Sequence, residues 1–192
     1  MVVMRKIFRL PVACVIVAVL FFFYVPVLSA EVRMTVEEAL KTVLPQARKI
    51  EKKTVILTAE QKARLERQAN VTIHPEYNKE FIGYIGKSDS EGPVVGYAFE
   101  DTVPGKWGPI HYLLAVDPAG KITNVVVLDF NERRGRPIAK KNFVNQYIGK
   151  TIRDKIKLRQ DINGITGATI SSRAITDGVR KLLYVFEEFY KL

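Results

Sequence analysis

A run of small and hydroxyl-bearing residues near the C-terminal end of the chain carries the chemistry that the sequence suggests. It reads Asn163-Gly164-Ile165-Thr166-Gly167-Ala168-Thr169-Ile170-Ser171-Ser172 and leads into apolar residues at helical spacing. Small residues let a ligand approach the backbone, and the free N–H groups and positive dipole end of a helix start favour a phosphate. A threonine hydroxyl held there can bond to a phosphate or be esterified by one.

The same run also suits an ordinary turn followed by a helix cap, with Ser171 or Ser172 as the capping residue. It is not a Walker loop, because no Gly-Lys-Ser/Thr follows the glycines. A hydrolase is a weak alternative, because the serines have no histidine near them in sequence and no Gly-x-Ser-x-Gly elbow is present. No catalytic residues are therefore predicted. His74 and His111 have no matching ligand spacing, so no metal site is predicted, and His111 is expected to be structural.

This segment resembles the flavinylation motif of the FMN-binding domain family, which includes the covalent-flavin subunits of the Rnf complex and of sodium-translocating NADH:quinone reductase. The family pattern reads Asp-x-x-Ser/Thr-Gly-Ala-Thr. The resemblance implies that Thr166, Gly167 and Ala168 hold the loop. It also implies that Thr169 carries one FMN, esterified through its phosphate by a dedicated flavin transferase. Asn163 stands where the family usually has Asp.

The resemblance extends over roughly residues 80–190 and implies further cofactor-binding residues. Glu132 resembles the family's glutamate in a glycine-bearing loop beside the flavin, which here continues through Gly135. Trp107 is a candidate to flank the flavin ring, and Ser171 lies in the motif itself. The arginines of the Glu132 loop either stabilise a negatively charged reduced flavin or form a solvated surface. This loop departs from the Glu-Thr-Pro-Gly-Leu-Gly of the respiratory-complex members, and is closer to stand-alone and regulator-like members.

The pattern of elements predicts an α+β fold, an antiparallel sheet packed with helices. Capping boxes begin helices at Thr35 and Thr58, so residues 31–70 are interpreted as helical. Four apolar runs predict strands, and Asp117-Pro118-Ala119-Gly120 predicts a hairpin between the last two. Further helices are predicted over 138–149, with Phe143, Tyr147 and Ile148 inward, and from about Ser171 to Tyr190. The expected units are 1–30, a helical region 31–76 and an FMN-binding domain 77–192.

The N-terminal segment has the pattern of an export signal or a single membrane anchor. Arg5, Lys6 and Arg9 precede an uncharged apolar stretch from Pro11 to Leu28. That stretch is long for a signal peptide and short for a spanning helix. Both alternatives place the rest of the protein outside the cytoplasm. The only cysteine is Cys14, so disulfides, thiolate zinc sites, iron–sulfur clusters and CxxCH haem attachment are excluded after Ala30.

The formal net charge is +10, and 27 basic residues against 20 acidic ones leave +7 after Ala30. Such a domain can meet anionic lipids, an acidic partner or an anionic cofactor, and nucleic acid is not expected in that compartment. Three functions compete. The first is an electron carrier that serves a membrane redox partner or cytochrome, the second a flavin-bearing redox sensor, and the third an oxidoreductase with its own substrate pocket.

Overall fold

A six-stranded antiparallel sheet forms the centre of the protein. The computed structural model describes residues 31–32, 34–130 and 136–191. The strand order is β1-β6-β5-β4-β3-β2, and helices pack on both faces, so the predicted α+β class is confirmed. The strands are β1 (Glu31–Val32), β2 (Lys49–Val55), β3 (Phe81–Lys87), β4 (Val94–Pro104), β5 (Pro109–Val116) and β6 (Ile122–Phe130).

Two helices begin at the predicted capping boxes. Thr35 and Glu38 cap α1 (Val36–Val43), and Thr58 and Gln61 cap α2 (Ala59–Ala69). Each threonine hydroxyl accepts a bond from the backbone N–H three residues on, and that residue's side chain accepts one from the threonine N–H. Two N–H groups that the helix leaves unbonded are thereby satisfied at each start.

The alternation of side chains along the strands gives the sheet two apolar faces. On one face, Ala98, Leu113, Ala115 and Leu128 pack against α1. On the other, the larger cluster contains Tyr97, Phe99, Tyr112 and Leu114 and receives the last helix, α4 (Thr169–Phe189). Four apolar residues of α4, at helical spacing on its inner face, are at most 1% exposed: Ile175, Val179, Leu182 and Phe186.

The helical interpretation of residues 31–70 is wrong for Lys49–Val55, which forms strand β2 along the edge of the sheet. Its sequence, Lys-Ile-Glu-Lys-Lys-Thr-Val, lacks an apolar face because the strand is mostly exposed. Charged residues, and lysine above all, are common on edge strands because they discourage pairing with other chains. Full-length pairing with β3 decides the strand conformation.

The single helix predicted over 138–149 is also wrong. The chain forms a 3₁₀ turn at Arg136–Ala139, the short helix α3 (Lys141–Val144) and a second 3₁₀ turn at Asn145–Tyr147. Phe143 and Tyr147 are buried as predicted, whereas Ile148 is 47% exposed. The last helical turn ends at Tyr147, two residues before the predicted end at Gly149, which has φ +86°, a conformation that suits glycine.

Candidate functional site

Three segments meet at one end of the sheet, which we call the motif end: the β4–β5 hairpin, the end of β6 and the start of α4. The β4–β5 hairpin closes there, with Pro104 paired to Pro109, and Ile110 pairs with Phe130, the last residue of β6. Helix α4 runs antiparallel to β4, since Gly178 lies against Val103 and Asp101 whereas Phe186 lies against Tyr97. Thr169 precedes Gly178 by nine residues, about 13 Å of helix. The start of α4 therefore extends toward the hairpin.

A tight turn presents the motif threonine. The N–H of Ala168 donates to the carbonyl of Ile165 at 3.0 Å. Gly167, at the third position of this turn, has φ +81°, as a type II turn requires. Thr169 follows as the first residue of α4, and the side chains of Thr166 and Thr169 are exposed. A Cβ built at Gly167 has no atom within 4 Å, so the space above the turn is open.

Two side chains that were not singled out from the sequence for this role hold the turn. The Ser172 hydroxyl accepts a bond from the N–H of Ile165 at 3.2 Å and donates to the carbonyl of Ala168 at 2.9 Å. Both ends of the turn are thus tied to α4. Gln146 holds the entry to the turn, because its carbonyl oxygen accepts from the N–H of Asn163 at 2.8 Å and its amide donates to the carbonyl of Asn163 at 3.2 Å.

The segment before the motif is organised by Asp161. Its carboxylate accepts bonds from the N–H groups of Ile156 and Lys157 and from the ammonium of Lys150. Burial raises the pKa of Asp161, but these donors outweigh it and the pKa lies below its usual value. The carboxylate supports a backbone at Ile156 with φ +40°, unusual for a β-branched residue. Asp161 therefore stabilises the backbone of the segment that leads into the motif.

The prediction that Ser171 or Ser172 caps the last helix is wrong. The cap position is Ala168, which makes no side-chain bond to the first turn, and both serines lie buried inside α4. A methyl group cannot accept from the first-turn N–H groups, so these donors can serve an anion instead. The helix consequently begins two residues earlier than expected, and Thr169 lies in its first turn.

The remaining candidates are distributed unevenly. Trp107, in the β4–β5 hairpin, is 57% exposed, and the ammonium of Lys106 lies 5.1 Å from its ring centroid. Glu132 and Gly135 lie outside the described residues, as does the side chain of Arg136. β6 ends at Phe130, which brings the chain to within two residues of Glu132 at the motif end.

His111 joins a polar row on the face of the sheet that carries α1. Its Nε2 lies 2.9 Å from Oε1 of Glu100 and its Nδ1 lies 3.3 Å from Oδ2 of Asp129, while the Tyr84 hydroxyl donates to Glu100 at 2.9 Å. Burial lowers the pKa of His111, but the two carboxylates outweigh it and the pKa is raised. In the described part of the chain, no three histidine, cysteine or carboxylate side chains are arranged to hold a metal ion.

Together these features define an α+β domain that displays a hydroxyl in the first turn of a helix with no side-chain cap, an arrangement suited to a phosphate-bearing group. Residues 105–184 match the model of the FMN-binding domain family. This match confirms the resemblance to that family predicted from the motif. The matched segment begins in the β4–β5 hairpin and includes the whole motif loop.

Two curated relatives align with this chain. One is a subunit of the Na(+)-translocating ferredoxin:NAD(+) oxidoreductase complex of Acetobacterium woodii, which is 30% identical over 118 residues, 56% of each chain. Another is a subunit of the ion-translocating oxidoreductase complex of Haemophilus influenzae, which is 31% identical over 120 residues, 54% of this chain and 57% of the relative. The chain spans about half the length of the curated relatives it matches.

A solved structure supports the fold. One subunit of the Na(+)-translocating NADH-quinone reductase of Parabacteroides distasonis superposes with a TM-score of 0.52 at 19% identity, over 82% of this chain and 85% of that one. Among the residues that the structure describes, no helix is long and apolar enough to cross a bilayer. The predicted signal or anchor before Glu31 lies outside these residues.

Proposed function

We propose that the protein is an extracytoplasmic electron carrier that holds one FMN esterified through its phosphate to Thr169. The observation that supports this proposal best is the placement of Thr169. It is an exposed hydroxyl in the first turn of α4, close to a positive-φ glycine and next to a cap residue whose side chain makes no bond to the helix. An ester bond would keep the cofactor with a protein that works where a loose cofactor would diffuse away.

The residues at the motif end fit an FMN phosphate. The open space above Gly167 leaves room for the phosphate oxygens, and the positive dipole end of α4 would favour an anion there. Thr166, Gly167 and Ala168 would shape the turn, with Trp107, Glu132 and Gly135 as the candidates to contact the ring. When bound, the isoalloxazine supplies the electron-transfer chemistry, and this chain supplies attachment, orientation and charge.

Attachment requires an activated donor, because joining a free phosphate to an alcohol would release water and is unfavourable in water. In the proposed step, Oγ1 of Thr169 forms a bond to the flavin-bearing phosphorus of a phosphoanhydride. Oγ1 loses its proton to a base, and the second phosphate of the donor leaves. No electron is gained or lost. The flavin transferase would bind the donor and supply the base, and this chain would supply the exposed nucleophile.

The named relatives support a role in a membrane redox chain. The matched curated relatives are subunits of ion-translocating oxidoreductase complexes, and we extend to this chain a membrane redox partner or a cytochrome. The assignment to a stand-alone branch of the family stays a prediction. So does export by the segment before Glu31, together with the absence of nucleic-acid partners.

A cavity beside the early turns of α4 bears on the alternative of an enzyme with its own substrate. It is lined in part by Ala174, Asp177, Gly178 and Lys181, and its volume is about 170 Å³. Small-molecule sites usually measure about 300–1,000 Å³. This cavity falls below that range, so the space beside the start of α4 gives no support to an oxidoreductase with a substrate site at the motif end.

The attachment site is tested by producing the full chain with a flavin transferase and examining it after denaturing electrophoresis. Wild type should give a fluorescent yellow band. Thr169→Ala should lose the band, whereas Thr123→Ala is the matched control, because it removes an exposed threonine hydroxyl from the opposite end of the sheet. A covalent flavin that persists in Thr169→Ala, or moves to another residue by mass spectrometry, contradicts the assignment.

The departure at Asn163 is tested separately. The side chain of Asn163 is exposed, and the Gln146 bonds engage its backbone alone. Asn163→Asp should therefore leave the turn intact and raise the flavinylated fraction when the transferase is limiting. An unchanged flavinylated fraction by mass spectrometry would show that a carboxylate at this position has no effect on flavinylation.

A further inference from the structure

The position and direction of β1 show at which end of the sheet the chain enters the domain. Glu31 pairs with Phe130 and Val32 pairs with Asp129, in antiparallel register. Since β6 runs toward the motif end and finishes at Phe130, β1 runs away from it. The chain before Glu31 therefore leaves the domain at the motif end, the same end at which Thr169 is displayed.

The connection between that point and the apolar segment is short. Only Ser29 and Ala30 separate Glu31 from Leu28, the last residue of the apolar stretch. Three steps of extended chain span about 10 Å. If the apolar stretch is retained in a bilayer, the motif end cannot move far from the membrane surface.

The exposed side chains of the motif end have the composition of a membrane-contacting surface. Two large apolar side chains are exposed here, Trp107 at 57% and Ile170 at 55%. Lys106 and Arg173, also exposed, neighbour them in sequence. Tryptophan prefers the membrane interface, and lysine and arginine are attracted to anionic head groups by about 1 kcal/mol each.

Two exposed acidic residues near this end lie on its other side, whereas Asp129, on the β1 side, lies 3.3 Å from Nδ1 of His111. Glu76 and Glu80 precede β3, which is separated from β1 by three intervening strands. At about 4.8 Å between strands, β3 lies roughly 19 Å from β1. The charge therefore favours contact through the hairpin and the start of α4, on the side where β1 enters.

We propose that the motif end, represented by Lys106, Trp107, Ile170 and Arg173, docks onto an anionic bilayer surface. Docking itself does not require flavin. Its consequence, that the cofactor faces membrane-embedded redox groups instead of bulk solvent, rests on the proposed attachment at Thr169. Three observations favour lipid as the binding partner: the short connection to the apolar stretch, the exposed tryptophan and the basic residues.

Trp107 is the only tryptophan in the chain, so its fluorescence reports on this surface without labelling. The test uses the full chain, produced without a flavin transferase, in nanodiscs of either anionic phosphatidylglycerol or neutral phosphatidylcholine. Each lipid is compared with its brominated form, which quenches nearby tryptophan. We expect brominated anionic lipid to lower Trp107 emission about twofold, with a blue shift, and neutral lipid to do so much less.

Variants separate docking from simple tethering. The pair Lys106→Glu and Arg173→Glu, and separately Ile170→Ser, should reduce the quenching by anionic lipid. Lys121→Glu and Ile148→Ser are the matched controls. They remove one exposed lysine and one exposed isoleucine at the opposite end of the sheet, where Lys121 precedes β6 and Gly149 bonds to Ile122. In these controls, Trp107 emission should be quenched as much as in wild type.

Equal quenching in the two lipids, or in the variants and wild type, overturns the docking surface. That result leaves attachment at Thr169 untouched, because the band test uses a separate sample and a separate residue. Loss of the flavin band with quenching intact would instead overturn the attachment and leave the docking surface standing.

Discussion

The start of α4 and its later turns differ in the exposure and the bonding of their polar side chains. At its start, Thr169 and Ile170 are exposed, and the polar bonds of Ser172 are spent on shaping a turn. Three turns later, Lys181 is 3% exposed and donates to Asp101 at 2.9 Å and to Asn78 at 2.7 Å. The Tyr112 hydroxyl donates to the same Asp101 carboxylate at 2.6 Å. The start of α4 exposes a reactive hydroxyl, whereas its later turns bury an ion pair that joins the helix to β4.

The difference teaches where mutations should affect stability and where they should affect modification. A buried charge depends on its partner, because water cannot replace the missing bond. An exposed turn can exchange a lost bond for water, so its loss costs less stability and changes mainly the shape presented to a partner. Changes at Lys181 should therefore destabilise the protein, and changes in the motif loop should change flavinylation.

The largest effect is expected from Lys181→Ala. It would leave the Asp101 carboxylate buried without its cation, at a cost of about 3–5 kcal/mol in the free energy of unfolding. Urea denaturation measures this cost. Lys191→Ala is the control, because it breaks an exposed ion pair with Glu187 and should cost under about 1 kcal/mol. Similar midpoints for the two variants would contradict the contrast between the regions.

Gly167→Ala should have an intermediate effect on stability and a large one on modification. Alanine at φ +81° is strained by about 1–2 kcal/mol, although no neighbour would clash with its methyl group. The turn should relax, and the flavinylated fraction should fall. Gly167→Asn should retain more modification, since asparagine tolerates this conformation better. Mass spectrometry under limiting transferase measures both variants, and equal fractions would show that the turn shape is unimportant.

Gln146→Ala should have a smaller effect on stability, about 1 kcal/mol or less, because Asn163 is exposed and water can replace the lost bonds. Flavinylation should slow, since the entry to the turn is released. Gln146→Glu keeps the acceptor for the N–H of Asn163 and should be intermediate. If flavinylation in Gln146→Ala matched wild type, Gln146 would stabilise the loop without positioning Thr169.

The smallest expected effect concerns pH. The pKa of His111 is raised in the folded protein by Glu100 and Asp129 against the effect of burial. Its contribution is therefore complete below its unfolded pKa of about 6.5 and is lost as the pH rises through the folded value. The side chain is partly exposed, so the loss should stay under about 1 kcal/mol. His111→Gln should flatten the stability profile between neutral and alkaline pH, and an unchanged slope would show that His111 is not its source.

Prediction from the sequence succeeded where a local pattern carries its own reason. Thr35 and Thr58 form capping boxes with residues three positions on, and Asp117 to Gly120 forms the expected hairpin turn, with Gly120 at φ +83°. It failed where partners are distant. Lys49–Val55 is rich in charge and becomes a strand only because β3 pairs with it.

The candidate site divides in the same way. Residue types indicated a helix start suited to a phosphate, the resemblance implied Thr169 as the attachment residue, and the match over residues 105–184 confirmed the resemblance. The roles of Gln146 and Ser172 in holding the turn had no signal in the spacing. Gln146 is 17 residues from Asn163, and both of its bonds to that residue go to backbone atoms, which almost any residue type would offer.

The sequence by itself determined the motif, the predicted attachment residue and the apolar faces, because each follows from the order of neighbouring side chains. Only the tertiary structure decided that the hairpin, the end of β6, the start of α4 and the entry of the N-terminal segment share one end of the sheet. Strand order and register bring these segments together across more than 130 residues of chain. No local pattern encodes them, because they depend on which strands pair.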